Sequence, residues 1–224
     1  VIKGLQQKYD FKFIEHKENL GLPKTLNEAI LRSSGEYVTL IASDDYLLED
    51  SIIKRVDWLR NNTDKLAVCA DAIVVDQNNK ILYNSFINDM GKVNYNQFIM
   101  DINKTIILDW CIPGPVFMAK RVIFTENIVG LYDESFCFED RDMYLRIIFK
   151  NLLGFLPETI AAYRIMNYGS SLRSNINVPK QLIKIELLHS KNYNLVQRLY
   201  FYRVIKRRIV YLIRLYVKRW IFSS

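Results

Sequence analysis

The stretch Glu36 to Asp50, EYVTLIASDDYLLED, constrains this chain more than any other. Tyr37 to Ala42 are all apolar or β-branched, which predicts a strand buried on both faces of a parallel sheet. That strand runs straight into Ser43, Asp44 and Asp45. Two adjacent carboxylates at the mouth of a buried strand repel each other and lose hydration unless a cation or donors meet them. In open α/β sheets the ligand crevice lies at the carboxyl ends of the strands, so a divalent metal with a phosphate is one natural occupant. The plainer alternative is that Ser43 to Tyr46 only cap a helix that begins near Glu49 or Asp50.

The rest of the chain supports an α/β frame around that stretch. Val1, Ile2, Leu5 and Tyr9 fall at helical spacing, Phe11 to Glu15 read as a short strand, and Gly21 ends a polar loop. Pro23 suits the first turn of a helix whose Leu26, Ala29, Ile30 and Ser33 face inward, and Gly35 stops it. Helix, strand, helix, strand in that order argues for a parallel sheet. Further on, Ser51 to Asn62 predict a helix with Ile52, Ile53, Val56 and Leu59 on its inner side. Leu66 to Asp76 predict a strand that turns through Gln77 to Lys80 into Ile81 to Tyr83 as a hairpin. Asp89 to Lys104 are polar and carry little signal, although such insertions often shape a pocket.

Three later segments carry chemistry-bearing residues. In Cys111 to Lys120, CIPGPVFMAK, Pro113 and Pro115 bar an α-helix and Gly114 allows close backbone approach; a rigid turn explains the same residues. In Gly130 to Arg146, Glu139 and Asp140 precede an apolar-periodic helix (Met143, Tyr144, Ile147, Ile148), where the helix dipole favours negative charge with or without a catalytic role. Phe155 to Met166 read as a strand, and its Arg164 can meet a phosphate or a surface carboxylate. His16 and His189 are the only histidines and neither lies in a motif, so nothing points to a Ser or Cys nucleophile with a His base.

Composition bounds the alternatives. With 224 residues, 50% hydrophobic and 25% charged, the chain can bury a full core. Cys69, Cys111 and Cys137 are odd in number and widely spaced, which gives neither a disulfide framework nor a zinc site and fits a reducing compartment. The net charge of +7 is uneven: residues 180–224 carry +10, leaving −3 on residues 1–179. In the tail, Arg203, Lys206, Arg207, Arg214 and Lys218 cluster on one side of a helix, with Ile205, Ile209, Leu212, Ile213, Tyr216 and Trp220 largely opposite. Its longest charge-free run inside is Ile209 to Ile213, too short to span a bilayer. A basic amphipathic helix of this kind suits an anionic membrane surface. Packing on the rest of the chain or on a second subunit is the alternative, and nucleic acid is disfavoured because no recognition motif accompanies the charge.

The ordered set Asn19, Gly21, Asn27, Ala29, Gly35, Glu36, Tyr37, Asp44 and Asp45 resembles the nucleotide-sugar half of a family 2 glycosyltransferase with the GT-A fold. The block Gly130-Leu-Tyr-Asp-Glu-Ser-Phe-Cys-Phe-Glu139-Asp140-Arg-Asp142-Met-Tyr-Leu-Arg146 is similar to the same family's acid-rich segment. The resemblance implies a GT-A, Rossmann-like mixed sheet over residues 1–178, followed by a helical, basic, membrane-associated segment over residues 179–224. It implies that Asn19, Gly21, Asn27, Asp44, Asp45 and Arg164 bind the donor, and that Asp44 and Asp45 hold Mn2+ or Mg2+. Pro113, Gly114 and Pro115 would contact the sugar or the acceptor. Asp140 would be the base, with Glu139 beside it. The chain has Ala42 where many members have Asp, and Met166 where His is frequent.

The activity implied is inverting transfer of a sugar from a nucleotide-diphospho-sugar, a UDP-sugar by expectation, to a hydroxyl of a saccharide or lipid-linked acceptor. Cell-surface polysaccharide synthesis, at the cytoplasmic face of the membrane, is the setting it implies. The resemblance also implies that a strand–helix–strand unit precedes Val1, which falls at the helix after the family's second strand. The competing reading is a truncated or non-catalytic relative that binds a saccharide or a partner as a scaffold.

Overall fold

The computed structural model describes residues 2–166 and 176–221. Helix α1 (Ile2–Gln6) is followed by an irregular segment and then by α2 (Leu22–Arg32), β1 (Tyr37–Thr39), β2 (Tyr46–Leu47) and α3 (Ser51–Asn61). Strands β3 (Ala67–Val75) and β4 (Ile81–Tyr83) form the expected hairpin. The weakly patterned stretch after it folds into a π-helix (Phe86–Met90), α4 (Tyr95–Met100) and α5 (Ile102–Leu108). A 3-10 turn (Gly114–Val116), β5 (Met118–Lys120), α6 (Val122–Thr125), α7 (Glu139–Phe149) and β6 (Leu153–Arg164) complete the sheet region. Helices α8 (Asn177–Ser190) and α9 (Leu195–Ile221) follow.

Among the described residues the strands form one sheet in the order β1-β5-β3-β6-β2, with β4 added to β3. The sheet is mixed. Only β3 and β6 run parallel, while the β1–β5, β3–β5, β2–β6 and β3–β4 pairs are antiparallel. The doubly buried strand is β3, whose nine residues are almost all inaccessible, and it forms the spine of the core. The sequence reading gave that place to Tyr37–Ala42. That stretch is extended only over Tyr37–Thr39, pairs antiparallel with β5 at one end of the strand order, and leaves Ile41 exposed. Phe11–Glu15 are likewise not a strand; His16 instead meets Glu28 of α2 at 2.7 Å.

Helix α3 also turns a different face inward. Ser51, Arg55 and Leu59 are buried, at i, i+4 and i+8, whereas Ile52 and Ile53 are exposed. The helix approaches β6 so closely that a Cβ on Gly154 would overlap the ring of Trp58 at 1.8 Å. Its N-cap, Asp50, has a left-handed backbone and makes no side-chain capping bond. The simple capping account of Ser43 to Tyr46 therefore loses its helix, because none of those residues is the cap.

The C-terminal segment is integrated into the domain along its first half. Phe201, Val204 and Ile205 of α9 are buried in the core, and Tyr193 donates from its hydroxyl to the Leu145 carbonyl of α7 at 2.7 Å. Beyond Arg208 the helix exposes Ile209, Ile213, Tyr216 and Trp220, the last being 77% exposed. No helix of the described residues is long and apolar enough to cross a membrane. The Gly169-Ser-Ser171 stretch, which follows the predicted Phe155 to Met166 strand in the sequence, lies outside the described residues.

Candidate active site

A cleft of about 410 Å3 gathers three distant pieces of chain. Leu40, Ile41 and Ala42 enter it from the end of β1, Pro113 and Gly114 from the segment before β5, and Glu139 and Asp140 from the first turn of α7. Leu22, at the start of α2, and Tyr132 and Tyr144 close the wall. The Pro-Gly-Pro run enters as an extended Pro113 followed by a single 3-10 turn. Gly114 has open space where a Cβ would stand, so its exposed backbone is part of the cleft surface. Pro115 is buried and does not line the cleft.

The two acids differ in setting. Glu139 is 9% exposed, and loss of hydration pushes its carboxyl up to about 7, with the neighbouring Asp140 charge adding to the effect. Asp140 keeps solvent access at the cleft mouth. Desolvation by the surrounding chain raises its carboxyl too, while the Arg141 backbone N–H, 2.7 Å from Oδ1, and the Arg141 charge pull it down. Asp142 is not available for the same chemistry. Its carboxylate accepts from His189 at 2.8 Å and from Arg146 at 2.9 Å, and these contacts hold it below its usual range against the desolvation that opposes them.

The carboxylates of the Asp44–Asp45 pair follow directly on the cleft wall, since the Asp45 N–H donates to the Ala42 carbonyl at 3.2 Å. Asp44 is exposed. Asp45 is half-buried, and desolvation raises its carboxyl while the N–H of Arg164, 2.9 Å from Oδ1, opposes the shift. The Arg164 guanidinium is already engaged. It donates to the carbonyls of Asp44 and Asp76, each at 2.7 Å, and to the Asn79 side chain at the same distance. Arg164 thus clamps the acidic turn to the β3–β4 hairpin, which is a positioning role rather than the surface ion pair that the sequence allowed.

The loop residues divide in the same way. Asn19 accepts from the Gly21 N–H at 2.9 Å, and Gly21, with φ +82°, starts α2 beside Leu22 of the cleft. Asn27 is buried, and its amide both donates to the Tyr132 carbonyl and accepts the Tyr132 N–H, at 2.9 and 2.8 Å. It holds a cleft-lining residue in place and has no amide left over for a ligand on those two sides.

Two residues with a part in the cleft were missed from the sequence. Arg55 is completely buried (0% exposed) under the cleft wall, where Nη1 donates to Thr39 Oγ1 and to the Phe117 carbonyl, at 2.7 and 3.1 Å. Its other bonds go to Ser51, and none of its hydrogen bonds among the described residues reaches a carboxylate. Burial lowers the guanidinium to about 10, so it stays a cation behind the cleft. Tyr144 lines the cleft, and its buried hydroxyl has no hydrogen-bond partner among the described residues. An unpartnered buried hydroxyl costs about 1–3 kcal/mol and is what a ligand contact would relieve. The sequence signal for Arg55 was its i+4 relation to Ser51 and Leu59; for Tyr144 there was none beyond helical spacing.

Which residues could hold a divalent metal follows from donor chemistry. Among the described residues no group of three or more His, Cys, Asp or Glu side chains converges as a metal cage. Asp44 and Asp45 do supply two hard oxygen donors side by side. That fits Mg2+ or Mn2+ bound jointly with substrate phosphates, since such ions use one or two carboxylates and keep several other oxygens.

The architecture matches solved glycosyltransferases of the GT-A type. S. aureus TarS, residues 1–349, in complex with UDP-GlcNAc superposes with a TM-score of 0.64 at 14% identity, covering 92% of this chain and 58% of that one. The mannosyltransferase PcManGT from Pyrobaculum calidifontis, in complex with GDP-Man and Mn2+, gives 0.65 at 15% identity, covering 96% and 59%. The chain thus spans somewhat over half the length of these two solved chains, and 34% of a longer TarS chain. No curated protein matches it. The profile described as Glycosyl transferase family 2 matches residues 1–128, and the chain belongs to that family.

Proposed function

We propose that this chain carries the transfer site of an inverting, metal-dependent glycosyltransferase that uses a nucleotide-diphospho-sugar, with a UDP-sugar as the expected donor. The observation that carries the reading is the cleft itself. It joins two carboxyls of raised pKa, an open Gly114 backbone and a Tyr144 hydroxyl without a partner among the described residues, with the Asp44–Asp45 turn at its edge. Complexes of like-folded proteins with UDP-GlcNAc and with GDP-Man and Mn2+ support the donor class.

Asp140, solvent-accessible at the cleft mouth, accepts the proton of the acceptor hydroxyl as it attacks the anomeric carbon. Glu139 carries a proton for part of the time near neutral pH and so does not add a second full negative charge beside it. Asp44 and Asp45 would hold Mg2+ or Mn2+, which supplies neutralisation of the leaving diphosphate. Arg55 adds a fixed positive potential from behind the wall, and its burial keeps that potential from being screened by water. Attack by the acceptor on one face and departure of the diphosphate from the other inverts the anomeric centre.

A membrane-associated helical segment over residues 179–224, packed on the domain along its first half, a role in cell-surface polysaccharide synthesis and a place at the cytoplasmic face of the membrane belong to the same proposal. The outer half of α9 supports the last. It exposes Ile209, Ile213, Tyr216 and Trp220 alongside Arg214 and Lys218, with no acid in the helix. Titration calorimetry of the protein with UDP-sugars and Mn2+ tests the donor site. Replacing Asp44 and Asp45 together with Ala should abolish metal-dependent binding while leaving the circular dichroism spectrum unchanged. Unaltered donor affinity at saturating metal would refute the assignment.

A further inference from the structure

A second cavity, of about 560 Å3, shares two short chain segments with the cleft. Trp110 and Cys111 line it immediately before Ile112, Pro113 and Gly114 enter the cleft, and Phe138 lines it immediately before Glu139. The rest of its wall comes from the π-helix region, α8 and α9. Met90, Val93, Leu108, Pro179, Leu182 and Val204 make it aliphatic over much of its extent. The aromatic rings of Phe86, Trp110, Phe138 and Tyr211 complete the wall, and its aliphatic side chains offer a saccharide no donors or acceptors. A flexible hydrocarbon chain suits them.

The charged residues of the lining are Asp109, Arg207 and Arg208. Arg207 pairs with Asp109 at 3.5 Å and donates to the Leu108 carbonyl. Arg208 donates to Glu186 at 3.1 Å, but Glu186 is also the partner of the fully buried Arg141 at 2.9 Å. One carboxylate therefore serves two guanidiniums, which leaves an excess positive charge beside the cavity. The Nε of Arg208 is in addition buried without a partner among the described residues. A desolvated guanidinium N–H lacking an acceptor is costly, and an anionic oxygen brought by a ligand would satisfy both the charge and the bond.

We infer that this cavity binds an amphiphilic anion, an aliphatic chain ending in a phosphate, with the chain against the aliphatic wall and the phosphate at Arg207 and Arg208. The inference rests on the transferase reading in one respect: it makes the acceptor lipid-linked and places the anchor of that acceptor beside Glu139 and Asp140. Helix α9 serves both ends of the arrangement. Val204, Arg208 and Tyr211 face the cavity, and Ile213, Tyr216, Val217 and Trp220 further along are exposed.

Calorimetry with dodecyl phosphate, kept below its micelle concentration, tests the site on the protein as it stands, with dodecyl maltoside and inorganic phosphate as the other arms. Dodecyl phosphate should bind at least about 10-fold more tightly than either, because neither control offers both the chain and the anion. Leu182→Trp, on the partly exposed side of α8, should weaken it by about 10-fold or more by filling the cavity. Arg207→Gln, at an exposed position, should weaken it by roughly 3- to 10-fold through loss of a charge-assisted bond. Arg208→Lys keeps the charge opposite Glu186 and removes Nε, and should weaken binding similarly. Equal affinity for the uncharged amphiphile, tight binding of inorganic phosphate alone, or indifference of dodecyl phosphate to both Leu182→Trp and Arg207→Gln overturns the inference. Asp140→Asn should leave dodecyl phosphate binding intact, so loss of transfer and loss of this site are separable results.

Discussion

Arg141 and Glu186 form an ion pair in which neither side chain reaches solvent, with Nη2 2.9 Å from Oε1. Arg141 stands between Asp140 of the cleft and the engaged Asp142, and its guanidinium also donates to the carbonyls of Ile106 and Ile107 at 2.5 and 3.0 Å. The first turn of α7 is thereby fixed to α5 and α8 at once, and the carboxyl that enters the cleft takes its position from that anchorage.

Breaking one side of such a pair leaves the other charge buried, at a cost of about 3–5 kcal/mol. Glu186→Gln should therefore lower the unfolding free energy by an amount in that range, measured by urea denaturation. Glu186 and Arg141 replaced together by residues of like volume and no charge should be less damaging than the single change. A single variant that loses less than about 1 kcal/mol would contradict the anchoring role.

The tail should divide at the point where its burial ends. Removal of residues 195–224 takes Phe201, Val204 and Ile205 out of the core and should unfold the domain or prevent its soluble expression. Truncation after Val210 keeps those three and should leave the thermal midpoint within a few degrees. The same truncation should release the protein from anionic vesicles. Vesicle binding that survives it, or that ignores salt, would contradict a surface role for the outer half.

The opposed shifts of Glu139 and Asp142 give stability a signed pH dependence. Glu139 is raised from 4.5 to about 7, so the folded state holds its proton longer than the unfolded chain. Its contribution is complete below about 4.5 and is lost as pH rises through about 7, at most on the order of 3 kcal/mol. Asp142 is lowered, so its contribution is present above the unfolded value and is lost as pH falls through the folded one. Glu139→Gln should flatten the decline in stability between pH 5 and about 7.5, read as the urea midpoint across pH. An unchanged slope would show that Glu139 titrates normally.

Much of this was legible in the sequence because local pattern and tertiary role agree there. The β3–β4 hairpin, α7 with its leading acids and the Pro113–Gly114 turn are each specified by residues within a short window. What was not legible depended on partners distant in sequence. Tyr37–Ala42 are as apolar as a central strand, yet their pairing with β5 leaves them at one end of the strand order, and composition carries no information on neighbours. Arg55 is hidden by the same logic. A cation in an amphipathic helix is read as outward-facing, and only the carbonyl of Phe117 and the hydroxyl of Thr39, brought in by other strands, make its burial tolerable. Asn27 and Arg164 were expected from the sequence to bind the donor; in the fold their hydrogen bonds make them supports of Tyr132 and of the acidic turn.

Arg55 is expected to act on the donor through charge. Arg55→Lys should keep most of the donor affinity, whereas Arg55→Met should reduce it by about 10-fold or more, at matched folding, since only the former leaves a cation behind the wall. Titration calorimetry with a UDP-sugar and Mn2+ distinguishes the two; equal losses in both variants would reduce Arg55 to a packing role.

The central claim, that Asp140 activates an acceptor hydroxyl in this cleft, is tested most directly by turnover of Asp140→Asn. With nucleotide-sugar, Mn2+ and acceptor supplied to the protein, nucleoside diphosphate release coupled to transfer should fall by about 10²-fold or more, the range for loss of a general base. Donor affinity measured on the same preparation should change by less than about 3-fold, because the base acts on the acceptor and not on the diphosphate. Transfer by Asp140→Asn at close to the parental rate would contradict the account.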